Sequence, residues 1–157
     1  MERTRNQRTV PVLLIVVAAL LVAARVAAHF FAPETPKDQL VQWVPLEEAG
    51  AMAASTNRII LIDFTAEWCA PCHLLDAQVF GDPTLANEIN SRFVPVRLTD
   101  RQREEGRNSQ SVQALQQEYG VKSFPTVIFA APDGSERGRM EGYGGREQFR
   151  RVMETIR

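Results

Sequence analysis

The chain has 157 residues, 45% hydrophobic and 24% charged, with a formal net charge of -1 and two cysteines. That length suits one domain of about 100–150 residues beyond any targeting segment. The balanced, interspersed charge speaks against nucleic acid as a partner, and two cysteines cannot build a framework of structural disulfides.

Residues 1–9 carry Arg3, Arg5 and Arg8 against Glu2, a basic N-terminus expected to stay in the cytoplasm. An apolar run from Val10 to Ala24 follows, then Arg25, then mostly apolar residues to Ala32, closed by Pro33. Two readings fit residues 10–32. As a transmembrane anchor, the stretch is long enough to cross a hydrocarbon core of about 30 Å, with Arg25 snorkelling outwards. As a signal peptide, it offers a basic start, an apolar middle and Val26-Ala27-Ala28 as a small-residue cleavage site. Phe30 and Phe31 continue the apolarity past that site like an interfacial aromatic belt, which favours the anchor. Either way, residues after 33 are expected outside the cytoplasm, in a compartment that tolerates disulfides.

Residues 33–39 are polar and proline-bearing and read as a short stiff linker, with a folded domain over 40–157. Leu46 to Asn57 places Leu46, Ala49, Met52 and Ala53 at helical spacing. Ile59 to Phe64 is a β-branched apolar run, the mark of a strand buried on both faces. Pro71 to Phe80 reads as a helix that opens at the cysteines; Gly81-Asp82-Pro83 ends it before a second helix through Ile89. Phe93 to Leu98 reads as a strand, and Asp100 to Ser111 as a charged loop. Val112 to Tyr119 is a helix closed by Gly120, where a left-handed cap is wanted. Thr126 to Ala131 and Gly138 to Tyr143 flank the hairpin signal Pro132-Asp133-Gly134. Arg146 to Ile156 forms a last helix with Phe149, Val152 and Ile156 on one face. This alternation predicts an α/β layer fold with a mixed sheet.

Both cysteines lie in Asp63–His73, D-F-T-A-E-W-C-A-P-C-H, directly after the first strand. Two thiols spaced C-x-x-C on such a framework point to thiol-disulfide exchange. Exchange needs a thiolate, and Cys69, just before a helix that includes Pro71, sits at the positive end of the helix dipole. Cys69 is therefore expected to be accessible and to attack. Cys72, one turn on and closer to the interior, is expected to resolve the mixed disulfide. The competing reading is half of a zinc site, but four ligands are needed and only His73 is near, so no metal is expected. His29, Glu67 and His73 are assigned no role.

Asp63 shares a strand face with Ile59 and Leu61, so a carboxylate enters an apolar layer, where burial raises its pKa unless it is paired. A partly solvated acid at a strand end is the plain alternative. Asp76 follows Cys72 by four residues and so shares its helix face, as a second proton relay or as a solvated acid. Trp68 either shields Cys69 and offers substrate an apolar platform, or simply packs.

The run Ile62 to Cys72 resembles the thioredoxin active-site segment, and Val121 to Ile128, V-K-S-F-P-T-V-I, resembles its proline loop and the strand after it. The C-terminal thioredoxin-like domain of the DsbD family is a closer match, through Phe80 to Leu85, the polar loop after Asp100, and Gly142-Tyr143. The resemblance covers roughly residues 40–157 and implies a thioredoxin fold, a central mixed β-sheet flanked by helices, behind the N-terminal membrane segment. It also implies that Asp63 accepts the proton of Cys72, that Arg97 lies near Asp63 and tunes it, and that the Phe124-Pro125 peptide bond is cis. Pro125 would then lie against the cysteines and leave backbone free to pair with an extended substrate. An exposed strand charge at Arg97 and a trans proline at a strand entrance are the alternatives. The family carries further cysteines in a multi-helix membrane domain, whereas this chain has at most one span and no other cysteine, which implies that a neighbouring protein supplies electrons.

The expectation is a membrane-tethered thiol:disulfide oxidoreductase of the inner membrane, single-pass with its domain in the periplasm, or free in the periplasm if the segment is cleaved. It would reduce disulfides of partner proteins, taking electrons from a membrane or periplasmic donor and needing no cofactor beyond the Cys69-Cys72 disulfide. An oxidase or isomerase with the same thiols, and a redox-inactive binding module or metal carrier on the same fold, are the alternatives.

Overall fold

The structure is a computed structural model that describes residues 14–22 and 40–156. The chain divides into two compact units, Met1–Lys37 and Asp38–Arg157. In the first unit residues 14–22 form helix α1 with exposed side chains. The remainder of the expected membrane segment 10–32, and the linker 33–39, lie outside the described residues. Among the described residues no helix is long and apolar enough to cross a membrane.

The second unit is built on a four-stranded sheet in the order β2-β1-β3-β4. Strand β1, Ile59–Ala66, runs parallel to β2, Phe93–Asp100, and antiparallel to β3, Thr126–Ala130, which pairs antiparallel with β4, Glu136–Glu141. A parallel pair needs a long crossover, supplied here by the cysteine-bearing helix and the one after it. Both β1 and β2 run two residues past their expected ends, because the ladder continues through Thr65–Thr99 and Ala66–Asp100. That extension carries β1 up to the turn that presents the cysteines.

Helix α2, Leu46–Thr56, ends at Asn57 in the left-handed conformation. Helix α3, Ala70–Leu75, passes directly into a wide π-type turn over Asp76–Phe80, in which the Gly81 N–H donates to the Asp76 carbonyl at 2.7 Å. Gly81 allows this closure: a Cβ there would lie 3.1 Å from the Asp76 oxygen and 3.2 Å from that of Ala77. Asp82 caps α4, Pro83–Arg92, accepting from the N–H groups of Thr84 and Leu85 at 3.0 Å each. The expected loop after Asp100 is more ordered than its composition suggests, because Gln102–Glu105 form a single turn, α5, and α6 already begins at Gln110 and runs to Glu118. Helix α7, Arg146–Thr155, closes the domain.

Alternation along the strands splits the core into two layers. Leu61, Phe93, Val127 and Phe129 face α3, α4 and α7, meeting Leu75, Val79, Leu85, Ile89, Phe149 and Met153. Ile60, Ile62, Phe64, Val94, Val96, Leu98 and Ile128 face α2 and α6, meeting Ala49, Ala53, Val112 and Tyr119. Truncating a residue such as Phe129, which is wholly buried, to alanine costs about 3–5 kcal/mol. The same period puts Asp63 and Arg97, neighbours in the β1–β2 register, at a shared position on the parallel pair.

Candidate active site

Cys69 is the N-cap of α3, with extended backbone at φ -86° and ψ 98°, and Pro71 falls in the first turn, where a missing N–H costs nothing. The Cys72 N–H donates to Cys69 Sγ at 3.2 Å and to the Cys69 carbonyl at 3.0 Å. The two residues form a disulfide with their Cα atoms 5.2 Å apart. Sulfur at residue 69 thus occupies the place of a capping oxygen, where a thiolate is favoured. The expected difference in exposure is absent: each cysteine is only 2% exposed. The reason is a cover. Phe124 packs on the cluster of Ala66, Cys69 and Cys72, and Trp68 meets Phe124 edge to face with centroids 5.8 Å apart. Trp68 itself is 43% exposed and offers its other surface outwards.

The Phe124-Pro125 peptide bond is cis. Pro125 is buried, its carbonyl accepts from the Gly142 N–H at 2.8 Å, and Gly142 takes a positive φ of 69°. The Thr126 hydroxyl donates to the Ser123 carbonyl at 2.8 Å, closing the loop from the strand side. Sequence separates this loop from the cysteines by some fifty residues, and the antiparallel pairing of β1 with β3 brings them together.

Asp63 is 1% exposed. Its Oδ2 accepts from Arg97 Nε at 2.9 Å, while its Oδ1 has no hydrogen-bond partner. Burial pushes its pKa up to about 6, against the pull of the Arg97 charge and with a further push from Asp76. The carboxylate is therefore both paired and raised. Arg97 also donates through Nη2 to Asp76, and Asp76 donates its own backbone N–H to the Cys72 carbonyl. Arg97 is thus no free strand charge but a bridge between the two acids, with a side chain 21% exposed. The expected site residues fall into two groups, Cys69, Cys72, Trp68, Phe124 and Pro125 around the disulfide, and Asp63, Arg97 and Asp76 in one ionic chain. The start of α3 connects them.

Two residues of this region carry no signal in the sequence. Trp43, in the irregular segment before α2, lies under the Arg97 guanidinium at 4.2 Å from ring centroid to Cζ, with Phe80 at 5.2 Å from the same atom. Arg103, in α5, lies over the Trp68 ring at 3.5 Å. His73 Nε2 lies 2.9 Å from the Glu67 carbonyl oxygen.

A family model described as a thioredoxin-like domain matches residues 46–157. The chain belongs to that family. It is 22% identical over 166 residues to the thiol:disulfide interchange protein DsbD of Photorhabdus laumondii, a match covering 98% of this chain and 27% of that protein. It is 29% identical over 132 residues to DsbD 1 of Pseudomonas aeruginosa, covering 79% and 21%. The chain thus spans about a quarter of the length of these relatives. The reduced C-terminal domain of Neisseria meningitidis DsbD has a similar structure, with a TM-score of 0.55 at 25% identity, covering 71% of this chain and 94% of that one. Within the thioredoxin-like domain of this chain lie the disulfide, the cis-proline loop and the buried Asp63.

Proposed function

We propose that this chain is a thiol:disulfide oxidoreductase that reduces disulfides of partner proteins through Cys69 and Cys72. The observation that carries the reading is the Cys69-Cys72 disulfide itself, closed across the first turn of α3 with Cys69 in the cap position. In the reduced protein, the Cys69 thiolate attacks one sulfur of a partner disulfide and releases the partner's other thiolate. Cys72 then attacks Cys69 Sγ, which frees the partner's second thiolate and closes the Cys69-Cys72 bond. Two electrons pass to the partner, and a donor dithiol restores the pair. The dithiol carries the electrons, so no further cofactor is needed.

Asp63 acts in the second step. With a pKa of about 6 it is mostly ionised at pH 7 to 8, and its unpartnered Oδ1 is the acceptor that takes the Cys72 proton. Arg97 holds the other oxygen and keeps the carboxylate from rising further, and Asp76 anchors Arg97 from the surface. Phe124 and Pro125 shape the place where an extended partner segment lies, with Trp68 as its apolar platform. The basic residues 1–9 and the apolar run 10–32 support tethering to the inner membrane with the catalytic domain in the periplasm, beside a membrane or periplasmic electron donor. The names of the DsbD relatives support the same class of reaction.

The test is equilibration of the purified protein against dithiothreitol and glutathione buffers of known potential. A two-electron couple near about -270 mV supports the reductase, and one near about -120 mV supports an oxidase with the same thiols. A disulfide that no buffer in that range opens or closes contradicts the redox reading. Fusion of a periplasm-dependent reporter after Arg157 checks the topology, and a stably expressed but inactive fusion would overturn it.

A further inference from the structure

We propose that Arg103 and Lys122 form a cationic clamp beside the disulfide that selects partners carrying carboxylates next to their reactive cysteine. The inference rests on the reading of Cys69 and Cys72 as a disulfide-reducing pair and adds the chemical character of what they reduce.

Arg103 is placed by a built loop rather than by chance. At its base Asp100, 8% exposed, accepts from Asn108 Nδ2, from Gln116 Nε2 at 2.8 Å and from the Gln102 N–H at 3.1 Å. Burial raises the pKa of this carboxyl, but the hydrogen bonds from Gln116 and Asn108 outweigh it and leave the pKa below the ordinary value. The Asn108 Oδ1 accepts from the Arg101 N–H at 2.6 Å, and Gln102 Nε2 donates to the Gly106 carbonyl at 2.7 Å, where the chain turns with φ 72°. These bonds fix α5 so that Arg103 lies on the outer surface of Trp68, whose inner edge meets Phe124 over the cysteines.

Charge in this corner is unevenly matched. Arg101 faces two carboxylates, Glu67 at 3.2 Å and Glu105 at 3.3 Å. Among the described residues Arg103 makes no ion pair, and neither does Lys122, two residues before Phe124. Lys122 lines a polar cleft together with Gln102 and Asn108, and so stands on the same side as the loop. Arg103, whose charge also lowers the pKa of Asp100, thus lies on the aromatic cover of the disulfide, and Lys122 stands by the cleft that Asp100 shares with Gln102 and Asn108. A guanidinium on an indole keeps its in-plane N–H groups available for a bidentate carboxylate. An extended partner segment that pairs with the backbone beside Pro125, three residues in sequence from Lys122, runs past the Trp68 ring that carries Arg103. Acidic side chains flanking its cysteine meet both, and basic ones are repelled.

The probes are three synthetic peptides with one intramolecular disulfide each, identical except for two flanking positions that are Glu, Gln or Lys. The reduced full-length protein is mixed with each in stopped flow, and Cys69-Cys72 formation is followed by quench and mass. The expected order is Glu over Gln over Lys, with Glu about tenfold faster than Lys at low salt and the gap closing in 1 M NaCl. Because intrinsic peptide reactivity cancels between proteins, the decisive quantity is the Glu-to-Lys rate ratio in Arg103→Glu and Lys122→Glu, which is expected to fall below one. Arg103→Lys is expected to keep the preference for Glu. A ratio unchanged by both charge reversals overturns the proposal. Wild-type protein that reduces none of the peptides refutes the disulfide-reductase reading instead, and wild-type protein that reduces all three equally refutes only the clamp.

Discussion

The chain contains two tryptophans, and each carries an arginine on its ring: Arg97 on Trp43 beneath the sheet end, and Arg103 on Trp68 above the disulfide. The pairs are chemically alike and differently placed. Arg97 is mostly buried and is held by Asp63 and Asp76, so its charge is spent inside the protein on stabilising a carboxylate at 1% exposure. Arg103 lies over a partly exposed ring and makes no ion pair among the described residues, and its charge acts on Asp100 from a distance. The difference teaches what each placement allows: a cation in the buried layer answers to the acids beside it, and one on a solvated aromatic cover can meet another molecule, as the proposals for Asp63 and Arg103 require.

The inner pair breaks most visibly. Arg97→Leu leaves Asp63 buried without its cation, a loss of about 3–5 kcal/mol at pH 8. The penalty is expected to shrink towards pH 5, because Asp63 can then take a proton, and the double variant with Asp63→Asn is expected to recover most of it. Urea unfolding at the two pH values measures both.

Asp63→Asn sharpens the same side with the opposite sign. Folded Asp63 holds its proton up to about pH 6, whereas an unfolded aspartate releases it near 3.8. The folded state therefore binds more protons across that window, so stability falls as pH rises through it and levels off above. The whole shift corresponds to about 3 kcal/mol. Asn removes that pH-dependent loss but also forgoes attraction to Arg97, so a gain of about 1–3 kcal/mol is expected at pH 7.5 and almost none at pH 4. The same variant is expected to release a preformed Cys69 mixed disulfide about tenfold to a hundredfold more slowly at pH 7. Equal release from pH 6 to 8 would return Asp63 to a structural role.

Trp43→Leu is the smallest expected effect on the inner side. It removes the ring under Arg97, worth about 0.5–2 kcal/mol as a cation–π contact, and is expected to shift the pH profile of mixed-disulfide release because Arg97 then holds Asp63 less rigidly. A stability loss with an unmoved pH profile would make Trp43 a packing residue only.

Much of this molecule could be read from residues alone, and the reason is locality. The apolar runs Ile59–Phe64 and Phe93–Leu98, the proline and glycine punctuation around Gly81, Gly120 and Gly134, and the dithiol at the head of a helix are all properties of short segments. The cis peptide before Pro125 followed from resemblance, not from any local rule. What escaped depends on distant chain segments meeting. Trp43 finds Arg97 only after β2 lies beside β1, and Arg103 finds Trp68 only because Asp100 buries itself among Asn108 and Gln116 to fold the loop back. The burial of Cys69 has the same origin, since Phe124 covers it from the far side of the antiparallel pairing. The wide turn at Asp76–Phe80 has no sequence signature beyond Gly81, whose need for a bare Cα appears only once the turn is closed.

The central claim is that Cys69 attacks and Cys72 resolves, although both are equally covered in the disulfide form. Full-length Cys72→Ser and Cys69→Ser proteins, expressed in cells and quenched with acid and an alkylating agent, test it by non-reducing electrophoresis and mass spectrometry of captured species. The account expects Cys72→Ser to accumulate mixed disulfides through Cys69 with partner proteins and Cys69→Ser to capture none; equal capture by the two, or capture by Cys69→Ser alone, would contradict it.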